Sequence, residues 1–263
     1  MRTIISKDGT TIAFDQVGSG PTVILVAGAI QHRAFDQETA YLADLLAPYF
    51  SVINYDRRGR GESGDTQPYA PAREIEDIEA LIEDSGGAAY LYGMSSGAAL
   101  AMEAALALGG KVKKLAMYEA PYNDDAPARQ AWREYRRKLN ALLAEGRRGD
   151  AMALFMMLVG MPPENLAQVQ QSPAWPIFER VAPTLAYDAA ILGEESAVPC
   201  EQAARLGIPT LVMAGEVSYP FMHTTAAALA GAMPAGRYQV LAGQTHEVAA
   251  EILAPPLINF FCE

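Results

Sequence analysis

Short apolar runs alternate along most of the chain with stretches whose apolar positions recur at helical spacing. The runs are rich in Val, Ile and Leu, which is typical of buried strands, and the stretches between them are typical of helices. Such alternation predicts a parallel sheet with right-handed crossovers and catalytic groups at the carboxyl ends of its strands. The predicted strands cover residues 2–6, 11–17, 22–26, 51–55, 88–92, 112–118, 209–213 and 237–241, and the predicted helices cover residues 35–46, 72–84, 96–108, 221–232 and a segment after His246.

This alternation stops between residues 123 and 205, where helical pieces follow one another, separated by prolines. We therefore predict a core domain formed by residues 1–122 and 206–263, and an all-helical cap formed by residues 123–205, inserted after the sixth strand. We interpret the cap as a lid that excludes water from the active-site face of the sheet and shapes its pocket. The alternative is an insertion that only adds bulk.

Composition and charge narrow the classes of function. The chain has 263 residues, of which 51% are hydrophobic and 19% are charged, as in globular proteins. A net charge of −11 argues against nucleic acid and anionic membranes as partners, and no apolar stretch has membrane-spanning length. We expect a cytoplasmic protein that acts on a small molecule, with Arg57 and Arg58 exposed to solvent. Because the sequence contains no metal-ligand spacing, dinucleotide fingerprint or phosphate-binding loop, we expect no cofactor and no metal.

The segment Gly93-Met94-Ser95-Ser96-Gly97 carries the strongest chemical signal. It is a G-x-S-x-G pentapeptide between a predicted strand and an apolar helix. A serine at such a corner lies on a sharp turn, where the glycines on either side relieve steric crowding. Its hydroxyl points above the sheet, and the N–H of Ser96 at the start of the helix can stabilise an oxyanion. Ser95 is therefore the candidate nucleophile.

A serine needs a neighbouring imidazole to accept its proton, and the chain has three histidines. His246 follows the last predicted strand, in a loop at the carboxyl end of the sheet, and this position favours it as the base. His223 lies within a predicted helix. His32 follows the third predicted strand, and we expect it to line the pocket or to lie at the surface.

Four segments resemble the α/β-hydrolase superfamily in order and spacing: Ala27-Gly28-Ala29, Asp56 to Ser63, Gly93 to Gly97, and the late His246. The resemblance implies an α/β-hydrolase fold, with a mostly parallel eight-stranded sheet, helices on both faces, a helical cap, and a triad of nucleophile, histidine and acid. It also implies that the N–H groups of Ala29 and Ser96 form the oxyanion hole. The sequence departs from the family pattern at Ala27, where a histidine is usual. We interpret Asp56 to Ser63 as a structural turn in which Asp56 accepts hydrogen bonds from backbone N–H groups.

Two glutamates compete for the role of the triad acid. In most α/β-hydrolases the acid follows the seventh strand, where this chain has Ser218, and Glu216 lies two residues earlier. Glu119 ends the sixth predicted strand, beside the strand of the nucleophile, and some members of the superfamily have their acid there. We therefore predict that Glu119 is the acid. Three alternatives stay open: Glu216 as the acid, Glu119 as a structural carboxylate at the hinge of the cap, and a site with no acid at all.

A serine nucleophile with a histidine base favours acyl transfer through an acyl-enzyme. We predict a hydrolase of a small, mostly apolar ester, lactone or thioester. Candidate pocket residues are His32, Met94, Tyr122 and Trp132. Haloalkane dehalogenases and epoxide hydrolases resemble this architecture but need a carboxylate nucleophile, which Ser95 excludes. Two alternatives stay open: non-hydrolytic chemistry of the same triad, as in perhydrolases related to haloperoxidases, and a ligand-binding protein on a hydrolase fold, which Ser218 at the usual acid position favours.

Overall fold

The computed structural model describes residues 1–263, and its strands form one eight-stranded sheet. The strands are β1 (Arg2–Ile5), β2 (Thr11–Gly18), β3 (Thr22–Val26), β4 (Ser51–Tyr55), β5 (Ala89–Met94), β6 (Val112–Tyr118), β7 (Thr210–Gly215) and β8 (Gly236–Leu241). Their order across the sheet is β1-β2-β4-β3-β5-β6-β7-β8. The β1–β2 and β2–β4 pairs are antiparallel and every other pair is parallel. The predicted mostly parallel α/β sheet is confirmed.

The helices are α1 (Gln37–Leu46), α2 (Pro71–Asp84), α3 (Ser96–Leu108), α4 (Ala126–Ala144), α5 (Arg148–Leu158), α6 (Pro163–Gln170), α7 (Trp175–Val181), α8 (Leu185–Ile191), α9 (Cys200–Ala203), α10 (Pro220–Ala232) and α11 (Ala250–Cys262). None of them combines the length and the apolar character that crossing a membrane requires.

Helices cover both faces of the sheet because successive side chains of a strand point to opposite faces. In β3, Val23 and Leu25 join an apolar cluster with side chains of α1 and α11. Ile24 and Val26, which alternate with them, join the cluster formed with α2, α3 and α10. The continuous apolar run of β3 therefore serves two cores at once, which is why it shows no polar face.

The segment predicted as the cap, residues 123–205, contains helices α4 to α9, which separate β6 from β7 along the chain. It has an apolar cluster of its own, to which Tyr135, Leu139, Met152 and Leu185 contribute. The prediction of an all-helical insertion after the sixth strand is confirmed. Its action as a lid stays a prediction.

The expectation that Arg57 and Arg58 are exposed is wrong, because both side chains are completely buried. Arg58 pairs with Asp77 of α2 at 2.7 Å and with Asp8 at 2.8 Å, and these carboxylates compensate its charge inside the protein. The turn itself has the expected structure, since Asp56 accepts hydrogen bonds from the backbone N–H groups of Arg33 and Glu62.

Candidate active site

Ser95 lies at the corner between β5 and α3. Its backbone has φ 55° and ψ −127°, a conformation that residues other than glycine seldom adopt. The corner is tight on both sides: a Cβ at Gly93 would lie 2.4 Å from the Gly97 carbonyl oxygen, and a Cβ at Gly97 would lie 2.2 Å from that of Val26. Both glycines of the motif are therefore steric requirements of the turn that presents the serine.

Glu119 directly follows β6, the strand beside β5. Because Met94 is opposite Tyr118 in the sheet register, the next residues, Ser95 and Glu119, lie at neighbouring strand ends. The N–H of Ser95 donates to the Tyr118 carbonyl at 2.9 Å, which holds the two strand ends together. Glu119 also has a positive φ of 48°. Such strained conformations cluster at functional sites, where the surrounding structure imposes them.

The buried Glu119 carboxylate accepts three hydrogen bonds. His246 Nδ1 lies 2.7 Å from Oε2, the Ser218 hydroxyl donates to Oε2 at 2.9 Å, and the Gly215 N–H donates to Oε1 at 2.8 Å. Burial disfavours the ionised form, but these bonds outweigh that effect and hold the pKa of Glu119 below its usual value. An ionised Glu119 favours the imidazole tautomer that carries its proton on Nδ1, which leaves Nε2 as an acceptor.

The other nitrogen of His246, Nε2, has no hydrogen-bond partner in the protein, and about a third of the side chain, 34%, is exposed. The Ser95 hydroxyl makes no protein hydrogen bond either. The structure thus joins His246 directly to Glu119, whereas no hydrogen bond joins Ser95 to His246. Glu216 makes no hydrogen bond to His246. Its exposed carboxylate instead accepts a hydrogen bond from the Gly243 N–H at 2.8 Å.

The loop that follows β3 passes directly against Ser95. A Cβ at Gly28 would lie 3.1 Å from the Cβ of Ser95. The N–H of Ala29 in this loop has no acceptor in the protein, and neither has the N–H of Ser96 in the first turn of α3. Ile30 has a φ of 60°, a rare conformation for a β-branched residue. Two unpaired donors beside a serine are the arrangement that an oxyanion hole needs.

Sequence reasoning missed a buried charged network behind this loop. Arg57 donates to the Ala27 carbonyl at 3.1 Å, and Arg60 donates to the Gly28 carbonyl. Asp188 of α8 pairs with Arg57 at 2.8 Å and with Arg60 at 2.7 Å. The only sequence signal is three arginines within four positions after a buried strand. Their acidic partners are distant in the chain.

Two of the four candidate pocket residues lie beside this loop. The ring of His32 stacks on Phe35 at a centroid distance of 5.7 Å, and its Nδ1 lies 3.2 Å from the Ile30 carbonyl oxygen. Met94 lines a cavity of about 220 Å³ together with Glu247 and other residues near the His246 loop. Contact of either residue with a substrate stays a prediction.

The other two candidates lie where the core meets the cap. Tyr122 is buried in the apolar cluster around α3. The indole N–H of Trp132 donates to the Gly193 carbonyl at 2.9 Å, which ties α4 to the segment that follows α8. No hydrogen bond joins either residue to Ser95 or His246, and their contribution to a pocket also stays a prediction.

Comparison with known proteins agrees with this fold. Residues 23–254 match the family model described as "Alpha/beta hydrolase family". The chain belongs to this family. An alpha/beta hydrolase from Sphaerobacter thermophilus DSM 20745, known from its crystal structure, is 49% identical to the present hydrolase. The alignment covers 99% of this chain and 100% of that one, with a TM-score of 0.86.

More distant structures share the fold of this hydrolase. They include a thermophilic esterase from Thermogutta terrifontis (22% identity, 99% of this chain and 95% of that one, TM-score 0.68) and the enol-lactonase from Burkholderia xenovorans LB400 (19% identity, 100% of both chains, TM-score 0.70). The uncharacterized hydrolase YraK of Bacillus subtilis (strain 168) is 29% identical over 99 residues, which are 36% of this chain. That match spans only 35% of the length of YraK.

Proposed function

We propose that this alpha/beta hydrolase cleaves a small, mostly apolar ester, lactone or thioester through an acyl-enzyme. Ser95 is the nucleophile, His246 the base and Glu119 the acid of the triad. The observation that carries the proposal is the 2.7 Å contact between Glu119 and His246 Nδ1, at the strand end beside Ser95. Two proteins with the same fold are an esterase and an enol-lactonase, which supports this class of reaction.

In the first half-reaction, Oγ of Ser95 attacks the substrate carbonyl carbon while its proton passes to Nε2 of His246. The carbonyl oxygen becomes an oxyanion and accepts hydrogen bonds from the N–H groups of Ala29 and Ser96. The C–O or C–S bond then breaks, and His246 gives its proton to the leaving alcohol or thiol. Glu119 stabilises the imidazolium that forms between these two proton transfers.

In the second half-reaction, a water molecule attacks the acyl group on Ser95, and His246 accepts the proton of that water. The new tetrahedral intermediate uses the same two N–H groups and collapses to the free acid, while His246 returns its proton to Oγ of Ser95. We assign the cap the role of a lid in both steps. The support for this role is that Ala29 and Ile30, in the loop beside Ser95, pack against the apolar cluster of the cap.

The proposal is tested with a fluorophosphonate probe and a series of p-nitrophenyl esters of graded chain length. Wild-type protein should be labelled and should turn over the short esters, whereas Ser95→Ala should lose both properties while keeping its fold. Ser196→Ala is a matched control, because Ser196 also has a positive φ, of 49°, but is buried and its hydroxyl donates to the Pro121 carbonyl.

The alternatives give different results in the same experiment. A folded wild-type protein that is neither labelled nor active would indicate a ligand-binding protein. The sequence argument for that alternative, Ser218 at the usual acid position, is weakened by the 2.9 Å hydrogen bond from Ser218 to Glu119. Products that form only when peroxide is added would indicate a perhydrolase that uses the same triad.

A further inference from the structure

Asp188 belongs to helix α8 of the cap, yet its carboxylate is buried against the core behind the loop that passes Ser95. One of its oxygens accepts from Arg57 at 2.8 Å and from the Ser96 hydroxyl at 2.8 Å. The other oxygen accepts from Arg60 at 2.7 Å. A single side chain of the cap therefore contacts three core residues that surround the proposed oxyanion hole.

Arg60 reaches one proposed oxyanion donor through a peptide bond. Its Nη1 donates to the carbonyl oxygen of Gly28, and this carbonyl belongs to the same peptide unit as the N–H of Ala29. In a planar trans peptide the N–H points away from the C=O, so a fixed carbonyl fixes the direction of the N–H. A charged donor on the carbonyl also polarises the amide and makes its N–H a stronger donor.

The second proposed donor is attached to the same carboxylate. The Ser96 hydroxyl donates to Asp188, and the backbone N–H of Ser96 opens helix α3. Holding this side chain orients the first residue of the helix, and with it the direction of its N–H. The two donors come from different parts of the chain, and Asp188 is the group that links them.

Asp188 is the ion-pair partner that compensates the positive charge of Arg60. Arg57 also pairs with Glu74 through Nε and Nη2, at 2.6 and 2.8 Å, whereas Asp188 is the only carboxylate that contacts Arg60. Burial disfavours ionisation of Asp188, but the charges of Arg60 and Arg57 outweigh it and hold the pKa of Asp188 below its usual value. Without Asp188, Arg60 would be a buried cation without a partner, which proteins tolerate poorly.

We propose that Arg60 and Asp188 are positioning residues for the oxyanion hole. Arg60 orients and polarises the Gly28–Ala29 peptide, and Asp188 holds both Arg60 and Ser96, so that docking of the cap assembles the hole. This inference rests on the proposed function, because it assigns a catalytic use to the two N–H groups. It predicts that the network contributes to transition-state stabilisation and not only to folding.

The test compares variants of this network with a matched ion pair between the same turn and helix α2. Arg58 and Asp77 are equally buried and paired at 2.7 Å, but the only carbonyl that Arg58 contacts is that of Arg73 in α2. The readouts are kcat and KM for p-nitrophenyl acetate, the inhibition constant of phenylboronic acid, which forms a tetrahedral adduct with a nucleophilic serine, and the melting temperature.

Arg60→Met and Asp188→Asn should lower kcat about 10- to 100-fold, less than the loss expected when an oxyanion donor is removed altogether. Both variants should raise the inhibition constant of phenylboronic acid by a similar factor and leave KM nearly unchanged. Arg60→Lys, which keeps the charge, should recover part of the loss. Asp77→Asn should lower the melting temperature but leave kcat and boronate inhibition at wild-type values.

The positioning role is overturned if Arg60→Met and Asp188→Asn only lower the melting temperature, as Asp77→Asn does. Ser96→Ala keeps the test decisive if Asp188→Asn does not fold, because it removes one hydrogen bond and no charge. It should lower kcat and boronate affinity severalfold, and unchanged values would contradict the role. If the wild type is inactive, or Ser95→Ala remains active, the proposed function itself fails and the positioning role fails with it.

Discussion

The hydroxyl of Ser218 donates a 2.9 Å hydrogen bond to the same Glu119 oxygen that His246 Nδ1 meets. Ser218 occupies the position where most relatives of this fold have their acid, after β7. Here that position donates to a carboxylate that directly follows β6. The two strand ends are neighbours in the sheet, so a carboxylate on either one can be directed at the same imidazole.

Replacing Glu119 by Gln should lower kcat by about three to four orders of magnitude. The amide of Gln can donate to Nδ1, which would favour the tautomer with its proton on Nε2, and that nitrogen could no longer accept the proton of Ser95. Glu216→Gln is the matched control and should retain nearly full activity, because its exposed carboxylate contacts the Gly243 N–H. Steady-state ester hydrolysis distinguishes the two, and the opposite ranking would make Glu216 the acid.

An aspartate introduced at position 218 should restore part of the activity that the Glu119→Gln variant loses. The side-chain oxygen of Ser218 already lies within hydrogen-bond distance of the oxygen that contacts the imidazole, so an aspartate there is close to the ring. We expect the double variant Glu119→Gln/Ser218→Asp to exceed the single Glu119→Gln variant in kcat by at least about tenfold. Equal activities would show that position 218 cannot orient His246.

Gly97→Ala should destabilise the fold by at least about 2 kcal/mol, because its Cβ would lie 2.2 Å from the Val26 carbonyl oxygen and the backbone would have to shift. Gly231→Ala, in helix α10, is the control: nothing lies within 4 Å of its Cβ position. It should be neutral or stabilising by up to about 1 kcal/mol. Urea unfolding monitored by circular dichroism measures both values, and an unchanged stability of Gly97→Ala would contradict the close packing of the turn.

The stability that Glu119 contributes should disappear at acidic pH. Its pKa is lowered in the folded protein from the usual 4.5, so the unfolded chain takes up a proton more readily and acid favours unfolding. The difference in unfolding free energy between wild type and Glu119→Gln should be constant above about pH 5 and shrink as the pH falls below 4.5. Urea titrations between pH 7 and pH 3 measure it. For Glu216→Gln, a change at an exposed residue, the difference from wild type in unfolding free energy should stay small throughout. A difference between wild type and Glu119→Gln that grows as the pH falls would contradict the lowered pKa.

Local features of the sequence predicted the core elements closely. The bounds of α3 and of β6 agree with the predictions residue for residue, since both are apolar segments with clear limits. Strand β5 continues two residues beyond its predicted end, to Met94, because the glycine of the motif still pairs with Met117 in the sheet. That extension brings the strand directly up to the nucleophile.

The sequence alone determined the fold class, the all-helical insertion and the turn that presents Ser95, because periodicity and steric crowding act over a few residues. Only the tertiary structure decided which glutamate contacts His246 and where the buried arginines find their charge. Glu119 and His246 are 127 positions apart, and Arg57 and Asp188 are 131 apart. Compensation of a buried charge depends on distance in space, and a linear pattern does not record which distant residues the folded chain brings together.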